Sequence, residues 1–320
     1  MKVSHAGILV LIALTVLSGT SCNYYNQVIA RKNLVDGAKA YRDRKYDVAE
    51  ALFRDAVERD PQQRTAQLFL ARTLHSEFAA NRTDTAKADQ AIEEYKKTIE
   101  EYKGIVAGKS SALAGEQSPC SFSDDEIRRM PEEKRAAMES FKTLGASLKA
   151  VANLLDNLQK ADERAQWLQQ WGEDTSLQPC LRAEAYTSLA AKENTCANDI
   201  TEQVKKTVEK EGKAVFVFSK PTNPEDYAAL KSCTERGTEL VNKALELDKN
   251  NESVWSYKTS LLIQAMRIAE MEGRTADKDK LKTEADTAKA EFTRLAAIDR
   301  QKKDEEEARR KAEAEEKEAR

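Results

Sequence analysis

The segment from Tyr46 to Pro61 constrains the fold of this chain more than any other. Its apolar residues, Tyr46, Ala49, Leu52, Phe53, Ala56 and Val57, are separated by threes and fours, the period that places side chains on one stripe of an α-helix. Asp60-Pro61 closes it, since proline disfavours helical backbone in the residue before it. Upstream, Leu34, Ala38 and Tyr41 form a similar stripe, and Asp43-Arg44-Lys45 makes a polar turn between the two. Two helices joined by so short a link must run antiparallel and bury their stripes against each other.

The same spacing recurs. Ala66, Leu70, Ala71 and Leu74, then Ala88, Ala91, Ile92 and Tyr95, predict a second pair with a longer link around Asn81 to Thr85. Met138, Phe141, Leu144, Leu148, Val151 and Leu155 predict a helix after Pro131, followed by one through Ala161, Ala165, Leu168 and Trp171. Leu181, Ala185, Tyr186 and Leu189 begin a further helix, whose partner runs from Tyr227 to Leu247. Trp255, Leu261, Leu262, Ala265 and Met266, then Ala285, Ala288, Phe292 and Leu295, supply the last pair. Only 11 glycines and 6 prolines interrupt the 320 residues, as expected of a chain built mainly of helix. The Gly-, Ser- and Pro-containing stretch 104–122 reads as a loop, with Ser123 and Glu126 placed for a capping box. The stretch 197–224 reads as an insertion holding a strand-like run, Ala214-Val215-Phe216-Val217-Phe218. Beyond Asp299 the chain is almost wholly Glu, Lys, Arg and Ala, which predicts a solvated, frayed helical tail over 299–320.

Gly37, Tyr46, Ala49, Phe53, Ala56 and Asp60-Pro61 resemble the tetratricopeptide repeat at matching intervals, and Gly237, Val241, Ala244 and Leu245 to Asp248 resemble its second helix and exit turn. Asn33 and Asp36 depart from the Trp and Leu usual there and predict a first helix that starts partly exposed, as in terminal repeats. Lys249 stands in place of the usual proline. The resemblance implies an all-α superhelix of antiparallel helix-pair repeats over 33–298, with first helices lining a concave face. Carried onto this chain, that face comprises Arg31, Leu34, Ala38, Tyr41 and Arg42, then Leu68, Arg72, His75 and Ser76, and at the far end Ser253, Ser256, Ser260 and Gln264. Its arginines suit an acidic segment or a carboxyl terminus.

The amino terminus carries a different signal. Met1-Lys2 is positive, Ile8 to Leu17 is apolar, and Gly19 and Ser21 are small residues before Cys22. A core of about ten residues suits an export signal and is too short for a spanning helix. The segment resembles a bacterial lipoprotein signal, apart from Gly19 where Leu is usual. It implies a signal peptide over 1–21, a diacylated Cys22, a tether over 22–32 and a place in the cell envelope facing the periplasm; simple secretion and an uncleaved anchor are the alternatives. Export leaves Cys120, Cys180, Cys196 and Cys233 in a disulfide-permitting compartment. Three pairings are open. Cys196 with Cys233 is preferred because the two flank the insertion between antiparallel helices, and buried free thiols are the alternative.

Chemistry finds little support. Outside the leader, His75 is the one histidine, no CxxC or nucleotide-binding glycine motif occurs, and neither cofactor nor metal is expected. The net charge of −3, with both signs interspersed, gives no reason to expect nucleic acid. The reading is therefore a non-catalytic scaffold or adaptor that binds a protein or peptide. The alternatives are a component of an outer-membrane assembly complex and, with less in its favour, an enzyme acting on the cell wall.

Overall fold

The computed structural model describes the backbone of residues 5–115, 117–210 and 212–318; the side chains of 5–22, 210, 317 and 318 lie outside that description. Residues 1–4 of the expected leader, the side chains of the rest of it and that of Cys22 therefore fall outside the description. Twelve α-helices and one β-hairpin make up the described chain, so the fold is all-α and built of neighbouring helix pairs. Contacts divide it into two compact units: Met1–Ala112 with Ala136–Arg164, and Leu113–Arg135 with Ala165–Arg320. The boundary falls inside the region 33–298. Among the described residues no helix is long and apolar enough to cross a membrane.

The first unit contains α1 (His5–Arg42), α2 (Tyr46–Arg59), α3 (Arg64–Ala80), α4 (Thr85–Gly108), the start of a single turn α5 (Ser110–Leu113) and most of α7 (Glu132–Asn157). α1 packs on α2, α2 on α3 and α3 on α4. The α1–α2 turn is tight: Lys45 N–H reaches back to Ala40 O at 2.9 Å and Arg44 takes φ 59°, a left-handed conformation that closes many helix ends. α2 stops at Asp60, whose N–H bonds Ala56 O, and Asp84 caps α4 by accepting from Lys87 N–H. Ala49, Phe53 and Ala56 are wholly buried, and Gly37 lies directly against the Phe53 ring. The glycine thus sets how closely α1 and α2 approach. Lys87 ties three helices together by bonding Glu77 at 2.7 Å and Glu50, which also holds Arg54. Along α7 the predicted stripe Met138, Phe141, Leu144, Leu148, Val151 and Leu155 is buried.

The second unit begins with a 3₁₀ turn at Pro119–Ser121 and α6 (Asp124–Arg128), where Ser123 and Glu126 form the expected capping box. α8 (Ala161–Glu173) leads into α9 (Pro179–Gln203), β1 (Lys205–Lys210), β2 (Lys213–Phe218), α10 (Pro224–Leu247), α11 (Glu252–Met271) and α12 (Thr275–Glu318). α9 packs on α10, α10 on α11 and α11 on α12, while α11 also touches α9. Asn223 and Asn251 cap α10 and α11, and Trp255 Nε1 donates to Lys249 O at 2.8 Å, holding the turn where the usual proline is missing.

Four expectations need correction. Asn33 is not at an exposed helix start. α1 begins far upstream, and Asn33 is 8% exposed, donating to the Asp55 carboxylate on α2, so a polar partner replaces the aromatic expected there. The loop placed over 104–122 starts only after Gly108, because Val106 is buried and keeps α4 helical past Gly104. The insertion placed over 197–224 starts after Gln203, since Ala197 and Thr201 are buried in α9 and pack it further along; it is a complete hairpin rather than one strand-like run. The tail is not frayed. It continues α12 to Glu318, Arg310 bonds the buried Asp125 at 2.9 Å, and Arg129 bonds Glu313 at 3.1 Å, so ion pairs dock what has no apolar stripe to bury.

Candidate functional site

In the first unit the structure gathers Tyr41, Arg72, His75 and Ser76 on the α1–α3 face. Ser76 Oγ donates to Arg72 O at 2.9 Å, which makes Tyr41 Oη the donor in its 3.1 Å bond to Ser76. The Tyr41 ring lies 5.5 Å from Tyr46 and meets Phe69 edge-on at 6.0 Å, while Phe69 stacks on Phe53 at 5.4 Å. The Arg72 guanidinium sits 5.7 Å from the Phe69 ring centre in a cation–π contact. Among the described residues it has no carboxylate within 4.0 Å. Arg31 and Arg42 are exposed and likewise without a carboxylate at that distance, but neither joins the bonded group.

His75 turns towards α4, with Nδ1 3.4 Å from Tyr95 Oη and the two rings edge to face. Burial, followed by the nearby Arg82 charge, lowers the imidazole pKa. Tyr95 is pushed up to about 12 by burial, which the Arg72 charge opposes. Tyr102, one heptad further along α4, is raised for the same reason with Arg72 again opposing. Burial also raises Glu101, whose Oε2 has no hydrogen-bond partner, against the pull of Arg64. The face thus combines one cation without a carboxylate within 4.0 Å among the described residues, Arg72, with phenols held neutral. It can receive a carboxylate and hydrogen-bond the backbone around it, and its one imidazole is held neutral rather than poised near a nucleophile.

Phe69, Tyr95, Tyr102 and Arg64 are missing from the predicted face. Tyr95 and Tyr102 are seven residues apart and so share a helical face, a signal legible in the sequence. Their facing Arg72 needed the α3–α4 packing. Leu34 and Leu68 belong to the core, Leu34 beside Ala30, Ala56 and Ala66, and Leu68 buried.

At the far end the second unit redirects the predicted residues. Gln264 is 3% exposed and takes part in a network with Asn198 and Arg267, each at 3.3 Å. α11 is packed against α9 as well as α10, so Gln264 faces a helix where an open groove was expected. Ser260 Oγ bonds Ser256 O at 3.1 Å, and both serines are half-buried. This unit does contain a cavity of about 630 Å³ lined by Glu126, Glu184, Asp248, Glu252, Asp299 and Glu306 among others. Several of those carboxylates have structural tasks: Glu126 closes the capping box, Asp248 accepts from Asn250 N–H, Asp299 pairs with Lys303 and Glu306 with Arg310. Among the described residues no three His, Cys, Asp or Glu converge as metal ligands.

Both cysteine pairs lie in the second unit. Cys196 is joined to Cys233 and Cys120 to Cys180, with Cα–Cα separations of 6.2 and 6.1 Å. The first links α9 to α10 beside the hairpin. The second fastens the 3₁₀ turn to the start of α9.

The helix pairs, the glycine-to-aromatic approach between α1 and α2 and the polar first-helix face define an all-α, helix-pair repeat protein. Among solved structures, the TPR2AB domain of yeast Sti1 in complex with pHSP90 is similar at 16% identity, over 85% of this chain and 98% of that one, with a TM-score of 0.21. A superposition that loose carries no argument about function. No protein-family profile matches the chain, and no curated protein matches it.

Proposed function

We propose that this protein is a non-catalytic scaffold of the bacterial cell envelope that captures an acidic segment of a partner protein on the α1–α3 face. The observation that carries the reading is Arg72. It is a half-buried guanidinium against the Phe69 ring, with no carboxylate within 4.0 Å among the described residues. A planar donor fork without an anion favours a carboxylate ligand. The hydroxyls of Tyr41 and Ser76 are bonded in a chain that ends on Arg72 O, and that of Tyr95 meets His75, so the polar groups of this face are held in place. Export is supported by the leader pattern before Cys22 and by the two disulfides, which persist where the compartment is oxidising. Attachment through acylated Cys22 would be durable, since a bacterial lipoprotein amino terminus carries more than one chain.

Crosslinking in envelopes, read by mass spectrometry, tests the reading with two variants. Reversing charge at Arg42 and Arg72 together should remove the principal crosslinked partner. Unchanged capture would sink the acidic-segment proposal. Cys22→Ala should leave the membrane fraction and lose the acyl mass of the wild type. Membrane recovery of the variant, with no acyl mass on the wild type, would refute the anchor while leaving the face untouched.

A further inference from the structure

The β1–β2 hairpin is not used by the face proposed above. Its strands pair antiparallel with Lys205 opposite Phe218 and Lys210 opposite Lys213. Ser219 N–H donates to Val204 O at 3.2 Å, which fixes the phase of the ladder. Amides facing the partner strand alternate with amides facing away, so 213, 215, 217 and 219 point at β1 and the N–H and C=O groups of Ala214, Phe216 and Phe218 point outward. The two strands form a sheet of their own, and among the described residues neither packs extensively on another element. At its base Arg267 lies 3.9 Å from the Phe218 ring centre. Ala214 and Phe216 lie beyond that contact and are exposed, Phe216 by 63%.

The two edges differ in chemistry. β1 carries Lys205, Lys206, Glu209 and Lys210, whereas β2 is uncharged from Ala214 to Phe218. Proteins blunt open edges with charge, lysine above all, to prevent unwanted pairing. β1 has that protection along its length, whereas β2 has it only at its ends. We propose that the outer edge of β2 is a docking edge, which receives an extended apolar segment with acidic ends from another polypeptide as a third strand.

Charge selects this occupant over a second copy of the chain. Residues 205–220 hold five lysines (205, 206, 210, 213, 220) against two glutamates (209, 211), in a chain whose net charge is −3. Lys213 and Lys220 stand at the two ends of the uncharged edge, with no carboxylate within 4.0 Å among the described residues. Antiparallel pairing of β2 with its own copy would bring Lys213 of one chain towards Lys220 of the other. An incoming strand with carboxylates at its ends meets both lysines favourably, and its backbone supplies the bonds that strand addition uses.

The test uses the full chain and a short fluorescein-labelled peptide of alternating Val and Thr bounded by Asp pairs, with a Lys-bounded peptide as its control. Anisotropy should show the acidic peptide bound about tenfold tighter or more. Hydrogen exchange should slow at Ala214 and Phe216 and stay unchanged along β1. Phe216→Pro removes an outward N–H without touching the β1 ladder, a substitution that edge positions tolerate. It should weaken binding by about tenfold. Lys213→Glu with Lys220→Glu, which leaves the backbone alone, should reverse the preference between the peptides. Equal binding of both peptides, binding of neither, protection along β1, or wild-type affinity in Phe216→Pro would overturn the proposal. So would a dimer, seen by sedimentation, that Phe216→Pro abolishes and the acidic peptide cannot displace.

Discussion

A methyl group placed at Gly37 should destabilise the first unit, although the same change at Gly104 should stabilise it. Both glycines lie within helices, α1 and α4, where replacing Gly by Ala normally gains about 0.8–1 kcal/mol. They differ in what the new atom meets. A Cβ at Gly104 has nothing within 4 Å, whereas one at Gly37 lies 2.7 Å from Phe53 Cε1 and 3.0 Å from both Cδ1 and Cζ. The ring cannot swing aside, because Phe53 is wholly buried and stacked on Phe69 at 5.4 Å. Relief must come from spreading α1 and α2, and overpacking of that kind costs about 1–3 kcal/mol. Gly37→Ala should therefore come out up to about 2 kcal/mol less stable, and Gly104→Ala about 1 kcal/mol more stable. Urea unfolding followed by far-UV circular dichroism should show midpoints moving in opposite directions, by roughly 0.5–1.5 M in total at a slope of about 2 kcal/mol per M. Hydrogen exchange of the α1 and α2 amides assigns the loss to this unit. In a Phe53→Leu background, where the ring is gone, the Gly37→Ala penalty should shrink. Stabilisation by Gly37→Ala equal to that by Gly104→Ala would refute the close-approach argument.

Other consequences can be measured separately. Opening Cys196–Cys233 with paired serines should cost about 4 kcal/mol on loop-closure grounds, and thiol titration of the unfolded wild type should find reactive cysteines only after reduction, apart from Cys22 if it is not acylated. Arg310→Ala should speed amide exchange over the last turns of α12 and change global stability by only ~0.2–1 kcal/mol, because the arginine is exposed and the buried Asp125 keeps its pairing with Arg128. His75 should make stability fall with acid: its folded pKa is lowered by burial and by Arg82, so below about pH 6.5 the unfolded chain takes up a proton that the folded one resists. Stability is then lost as pH falls from about 6.5 to the folded pKa, and His75→Gln should flatten that part of a stability–pH profile.

Residue spacing alone places the helices and most of their buried stripes. Apolar spacing is a local property, so Phe53 and Ala56, or Met138 to Leu155, are legible before any packing is known. Local capping was equally legible, as Ser123 with Glu126 shows. The amino-terminal signal is also local, and the export reading starts from it, although the two disulfides that support it needed the fold. Tertiary structure decided what each polar residue faces. Asn33 lost its exposure to Asp55 and Gln264 lost its place in a groove to α9, because burial depends on which neighbouring helix arrives. The charged tail gives no hint in its own residues that Asp125, far away in the chain, will hold it. Arg72 needed both kinds of information. Its helical face, with Phe69 three residues before it, could be read from register, but its place opposite Tyr95 and Tyr102, with no carboxylate within 4.0 Å among the described residues, exists only once α3 and α4 are packed together.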